Sequence, residues 1–138
     1  MSQEIIRVDL TTAIESIRTT FAGGYTLVIE YDNVLLVDTK LQTNPFLAVE
    51  IKFIQGVQAN ISSTPFQRVY GQVLLSAAVP QGSGSSKALK LLDHFSKGLQ
   101  LKAFGTVRTH ISSPSQSKPH LGWVYFTVSV PFWSDQST

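Results

Sequence analysis

The stretch from Phe66 to Leu99 constrains this chain more than any other. From Phe66 to Val79 the apolar residues Val69, Val73, Leu75, Ala77 and Val79 fall on alternate positions, with Gly71 among them. Period-two alternation of this kind marks a strand with one buried face. Pro80 has no N–H to give a ladder and is expected to stop the strand. Gly82 and Gly84 let the chain turn, and Ser85 or Ser86 can cap a helix by accepting from a first-turn N–H. Ala88, Leu91, Leu92, Phe95 and Leu99 then recur at helical spacing and form one apolar stripe. Lys87, Lys90, Asp93, His94 and Lys97 fall largely off that stripe, toward water. A half-buried strand running straight into an amphipathic helix requires a helix laid on a sheet.

The remaining segments suit the same design. Ile6, Leu10, Ala13, Ile14, Ile17 and Phe21 predict a helix over residues 3–21, with Ser2 as N-cap and Gly23-Gly24 as its end. Tyr25–Tyr31 reads as a strand with Leu27, Ile29 and Tyr31 on one face and Val28 and Glu30 on the other. Asp32-Asn33 reads as a turn, Val34–Val37 as a short extended piece and Asp38–Pro45 as a loop. Phe46–Gln55 reads as a strand burying Leu47, Val49, Ile51 and Phe53, and Thr106–Ser112 as another. Ser113–His120, with Pro114 and Pro119, has the composition of a hairpin tip. In the last strand Val124, Phe126, Val128 and Val130 face one way, and Trp123, Tyr125, Thr127 and Ser129 the other. Pro131 is expected to end its ladder. The expectation is a single α+β domain over residues 1–138. It is a two-layer sandwich with a mostly antiparallel or mixed sheet of about five to six strands and two helices on one face.

Known reaction chemistries find little purchase here. The chain has no cysteine, which removes disulfides and thiolate metal sites. His94, His110 and His120 lack metal-ligand spacing, so neither a metal nor a cofactor is expected. Gly82-Ser83-Gly84-Ser85-Ser86-Lys87 has neither the four-residue gap of a phosphate-binding loop nor its Gly-Lys-Ser/Thr ending. There is no nucleophile elbow and no pair of carboxylates that can be placed face to face. No enzyme is inferred. The basic residues are scattered at a net charge of +2, without a nucleic-acid footprint. No window approaches the roughly 18 apolar residues of a spanning helix, and the N-terminus lacks a signal-peptide core.

Two features point to contacts instead. Charged residues are only 14% of the chain, against about 25% in an ordinary soluble domain. This depletion fits a bland polar surface or one covered in an assembly, since interface cores are poor in Lys, Glu and Asp. Gly56–Pro65 is polar and longer than a hairpin needs, which makes Gln58, Asn60 and Ile61 contact candidates. Trp123 and Tyr125 point away from the core side of the last strand, and Phe132 and Trp133 extend that aromatic patch.

Over nearly its whole length the chain resembles the tail terminator proteins of long-tailed phages. The stretches are the first helix ending at Phe21, Tyr31-Asp32-Asn33-Val34, Pro45-Phe46-Leu47, Arg68-Val69-Tyr70-Gly71-Gln72-Val73 and Val79-Pro80-Gln81-Gly82-Ser83-Gly84. Leu91-Leu92-Asp93-His94-Phe95, Gly122-Trp123-Val124-Tyr125 and Val128-Ser129-Val130-Pro131-Phe132-Trp133-Ser134-Asp135 complete the series. The resemblance implies a non-enzymatic virion protein of the tail or neck, assembled in the host cytoplasm. Its implied partners are copies of itself in a hexameric ring, the tail tube protein and the head–tail connector or neck proteins. DNA passes through the lumen without sequence-specific binding, and no membrane is involved. Two other readings fit the same residues: another neck or tail ring, such as a head–tail joining protein or tube subunit, and a monomeric RNA- or ligand-binding α+β module.

Overall fold

The structure, a computed structural model, describes residues 3–22, 27–31, 44–58, 66–82, 84–114, 116–120 and 122–137. The element order is α1 (Gln3–Arg18), β1 (Ile29–Glu30), β2 (Phe46–Gln58), β3 (Phe66–Pro80), α2 (Ser86–Leu99), β4 (Ala103–Phe104), β5 (Val107–Thr109), β6 (Gln116–His120) and β7 (Trp123–Ser137). The described strands form one mixed sheet in the order β1-β2-β3-β7-β5-β4, with β6 also paired to β7. The β1–β2 pair is parallel and the other pairs are antiparallel. This is the expected α+β architecture, with short strands bringing the described total to seven.

Both helices cover the same face of the sheet. Ile6, Leu10, Ala13 and Ile14 of α1 and Ala88, Leu91, Leu92, Phe95 and Leu99 of α2 are buried, as their stripes require. Beneath them lie Leu47 and Val49 of β2, Val69, Val73, Leu75, Ala77 and Val79 of β3, and Val128, Val130 and Phe132 of β7. His94 is more than a water-facing residue. Its Nε2 lies 3.0 Å from the Thr20 hydroxyl and 3.2 Å from the Ile17 carbonyl oxygen, and its ring meets Phe21 edge-on. It thereby ties the end of α1 to α2.

Other boundaries differ from the sequence-based expectation. The α1 helix ends at Arg18, and Phe21 packs against the core from beyond it. The strand described within Tyr25–Tyr31 is Ile29–Glu30, and Val34–Val37 lies outside the described residues. β2 runs on through Gly56 and Val57 to Gln58, opposite Gln67, so these residues are strand rather than loop. The expected strand over Thr106–Ser112 narrows to Val107–Thr109, which pairs with Ala103–Phe104. Gln116–His120, expected as a hairpin tip, is an edge strand on β7. Pro119 is tolerated there because an edge strand can leave one N–H position unused.

Pro131 does not end β7, which continues to Ser137. The Pro131 carbonyl accepts from the His110 N–H at 2.9 Å. The nitrogen and carbonyl of a strand residue point to the same side, so the missing donor faces the segment between β5 and β6 and not β3. The β3–β7 ladder therefore loses nothing at this proline.

Candidate functional site

The sheet has a second face, turned away from the helices, and the long strands β2, β3 and β7 set its chemistry. By register, Arg68, Tyr70, Gln72, Leu74, Ser76, Ala78 and Pro80 of β3 lie opposite Asp135, Trp133, Pro131, Ser129, Thr127, Tyr125 and Trp123 of β7. These cross-strand pairs are the unit from which sheet faces gain stability. Ser76 and Thr127 share a hydrogen bond of 2.9 Å, and Ser129 donates to the Gln72 side-chain oxygen at 2.8 Å. An open depression of about 600 Å³ lies beside this polar strip, lined in part by Glu30, Glu50, Leu74, Ser76 and Thr127.

The two ends of this face differ. At the β6 end, Trp123 meets Phe46 edge-on at 5.2 Å and forms a second small core with Phe46 and Ala78, bordered by Val28 and Tyr125. Alternation places Trp123 on this face as expected, but its own neighbours leave it only 6% exposed. Tyr125 is half-buried, and burial together with the Glu30 charge pushes its phenol above the ordinary range. At the other end Arg68 donates two hydrogen bonds to Asp135, at 2.7 and 2.8 Å. The Arg68 guanidinium also lies 4.4 Å from the centre of the Trp133 ring. That geometry combines a bidentate ion pair with a cation–π contact. Hydrogen bonding from Arg68 lowers the Asp135 carboxyl below its ordinary range. Tyr70 is exposed beside this group, and Ile54 protrudes 64% exposed where the register shifts between Phe53 and Gln55.

The structure thus separates the candidate residues. Trp133 and Tyr125 are half-exposed on the second face. Phe132 does not extend the aromatic patch, because it lies on the helix side, 1% exposed, with its ring edge-on to Phe53. Its ring sits beneath Gly71, where a Cβ would come within 2.5 Å of the Phe132 Cζ and onto the Lys52 carbonyl oxygen. Gln58 closes β2, while Asn60 and Ile61 lie outside the described residues. Sequence reasoning missed Arg68, Asp135, Tyr70 and Ile54. The only signal for the first pair was that each stood in a distinctive stretch.

Among the described residues no three His, Cys, Asp or Glu side chains converge as metal ligands. No described helix is long and apolar enough to cross a membrane. What the second face offers chemically is aromatic rings, a paired arginine and side-chain amides and hydroxyls.

No protein-family model and no curated protein sequence matches this chain. The fold does match solved structures. One, known by a sequence identifier alone, superposes with a TM-score of 0.70 over 99% of this chain and 96% of its own, at 13% identity. At that identity the likeness shows a shared α+β fold.

Proposed function

We propose that this chain is a structural subunit of a phage tail, a tail terminator. It assembles as a ring on the end of the tail tube. The ring ends tube polymerisation and presents the surface to which the head and its neck proteins join, and DNA passes through its lumen. One observation carries the reading. Two of the stretches that resemble tail terminators, Arg68–Val73 and Val128–Asp135, lie side by side on β3 and β7. Their distinctive residues, Arg68, Tyr70, Trp133 and Asp135, meet in one partly exposed patch. Arginine and aromatic residues are enriched in interfaces and among their hot spots. The ion pair holds Arg68 in one geometry before any partner arrives, which lowers the ordering cost of binding.

The test is electron microscopy of particles made without this protein, together with purified protein added to tube ends. Loss of a terminator gives tubes of uncontrolled length and heads without tails, and the added protein caps the tubes. Tubes of normal length that fail only to join heads would assign the chain to a head–tail joining ring instead. A protein that stays monomeric beside tube ends and is absent from particles refutes the proposal.

A further inference from the structure

Leu101 occupies a backbone position that disfavours it. It follows α2 with φ of 56°, and its side chain is 67% exposed. Gln100 before it has φ of −70° and ψ of 149°. The two form a turn after α2 whose second residue takes positive φ, a position that usually holds glycine. For a leucine this conformation is strained, and an exposed side chain gains little within the isolated chain to offset the strain.

The turn is fixed by its neighbours. The Gln100 side-chain oxygen accepts from the Ser112 N–H at 2.9 Å and from its hydroxyl at 2.8 Å. The Thr109 N–H donates to the Lys102 carbonyl at 2.9 Å. Continuing that antiparallel register brings Ile111, also 67% exposed, alongside the turn. Lys102 and Arg108 are exposed nearby, and the chain has no acidic residue between Asp93 and Asp135. Arg108 donates to the Gly105 and Val107 carbonyls, and the Asp9 carboxylate of α1 lies against Gly105, so this edge is an apolar tip with two cations and one anion around it.

The opposite edge has the complementary character. β1 and β2 carry Glu30 and the exposed Glu50, with Lys52 as their one cation. Ile54 stands out from the bulge on the same strand. The strand order places β1 and β2 at one end of the path and β5 and β4 at the other. At about 4.8 Å per strand, β2 and β4 are roughly 20 Å apart. Two unlike patches on opposite edges, matched in charge and each with a protruding apolar residue, are what a head-to-tail contact between copies requires.

We infer that the β4–β5 edge of one copy docks on the β1–β2 edge of the next. Leu101 and Ile111 are the anchors, Lys102 and Arg108 face Glu30 and Glu50, and Ile54 completes the apolar contact. The inference rests on the ring-subunit reading above and names the surfaces that meet. Leu101 keeps its strained backbone because its side chain is buried only when the copies join.

The experiment is sedimentation velocity of the full chain over a range of concentrations at low salt, with and without tail tubes, for wild type and three variants. Leu101→Gly relieves the turn, so the isolated variant is expected to melt at the same temperature or higher while its association weakens at least tenfold. The reversal Lys102→Glu with Arg108→Glu is expected to weaken association by a similar factor. Adding Glu30→Lys and Glu50→Lys to that reversal is expected to restore it, an outcome general misfolding does not produce. If wild type assembles and every variant assembles equally well, the ring reading stands and these edges are not its interface. If wild type stays monomeric even beside tubes, the ring reading itself fails and takes this inference with it. If the reversal leaves assembly intact but abolishes binding of a short DNA duplex, the basic edge is a nucleic-acid contact and the inference is overturned.

Discussion

Replacing Trp123 by alanine is expected to unfold part of the molecule before it disturbs any contact. The indole is only 6% exposed, and it packs edge-on against Phe46 and beside Ala78. Truncating a buried large aromatic to alanine costs about 3–5 kcal/mol, including the cavity it leaves. The edge-on pairing with Phe46 is part of that loss, at about 0.5–1.5 kcal/mol for a well-placed aromatic pair. Val28 and Tyr125 border the cluster and are only half-buried, so the site can relax or admit water, which favours the low end, about 3 kcal/mol. That is a large share of the roughly 5–15 kcal/mol that holds a domain together. For a chain of this length it corresponds to a fall in melting temperature of about 10 °C. The assay is thermal and urea denaturation of the isolated Trp123→Ala protein beside Trp133→Ala, whose ring is half-exposed and whose loss is expected to cost much less. A Trp123→Ala melting temperature within about 2 °C of wild type would refute the second core and return the indole to the surface as a contact residue.

Gly71→Ala is expected to destabilise by at least about 1–3 kcal/mol, since its Cβ would collide with the Phe132 ring and the Lys52 carbonyl; unchanged urea denaturation would refute that close approach. Leu92→Ala and Phe95→Ala remove buried side chains from the α2 stripe, and each is expected to cost about 2–5 kcal/mol in the same assay. Asp135 has its carboxyl lowered by Arg68, so it contributes stability above the ordinary carboxylate range that is lost as pH falls through the lowered native value. The pair is about a third exposed, which makes the contribution small. The stability gap between wild type and Asp135→Asn should shrink as pH falls from 6 toward 2, and a gap constant across that range would remove the ion pair from the account.

Much of the fold was legible because its periods are local. The stripes of α1 and α2 and the alternation of β3 depend only on spacing along the chain, and each buries the residues that spacing picks out. The errors fell where a distant partner sets the outcome. Gln116–His120 has the composition of a mobile tip, but β7 offers it an edge to pair with. Ile29–Glu30 pairs in parallel with Leu47–Ala48 across an intervening segment, a choice that no local pattern encodes.

The candidate surface was harder to read, and Phe132 shows why. Treating Pro131 as the end of the strand broke the alternation and grouped Phe132 with Trp133. Continued through the proline, the same alternation runs Val124, Phe126, Val128, Val130, Phe132 on the helix side and Trp123, Tyr125, Trp133 on the other. The misplacement turned on one N–H and the direction in which its absence points, which the His110 contact to the Pro131 carbonyl settles. Trp123 failed differently. Its face was read correctly, but alternation carries no information about what lies across the sheet, and Phe46 comes from a strand far away in sequence. For the same reason Arg68 and Asp135 could not be paired beforehand, since only the β3–β7 register sets a cation beside an anion and both against Trp133. Periodicity along one strand tells which side a residue takes. Whether that residue becomes core or contact is decided by the strands laid beside it, and on this sheet they close one end of the second face and leave the other half-exposed.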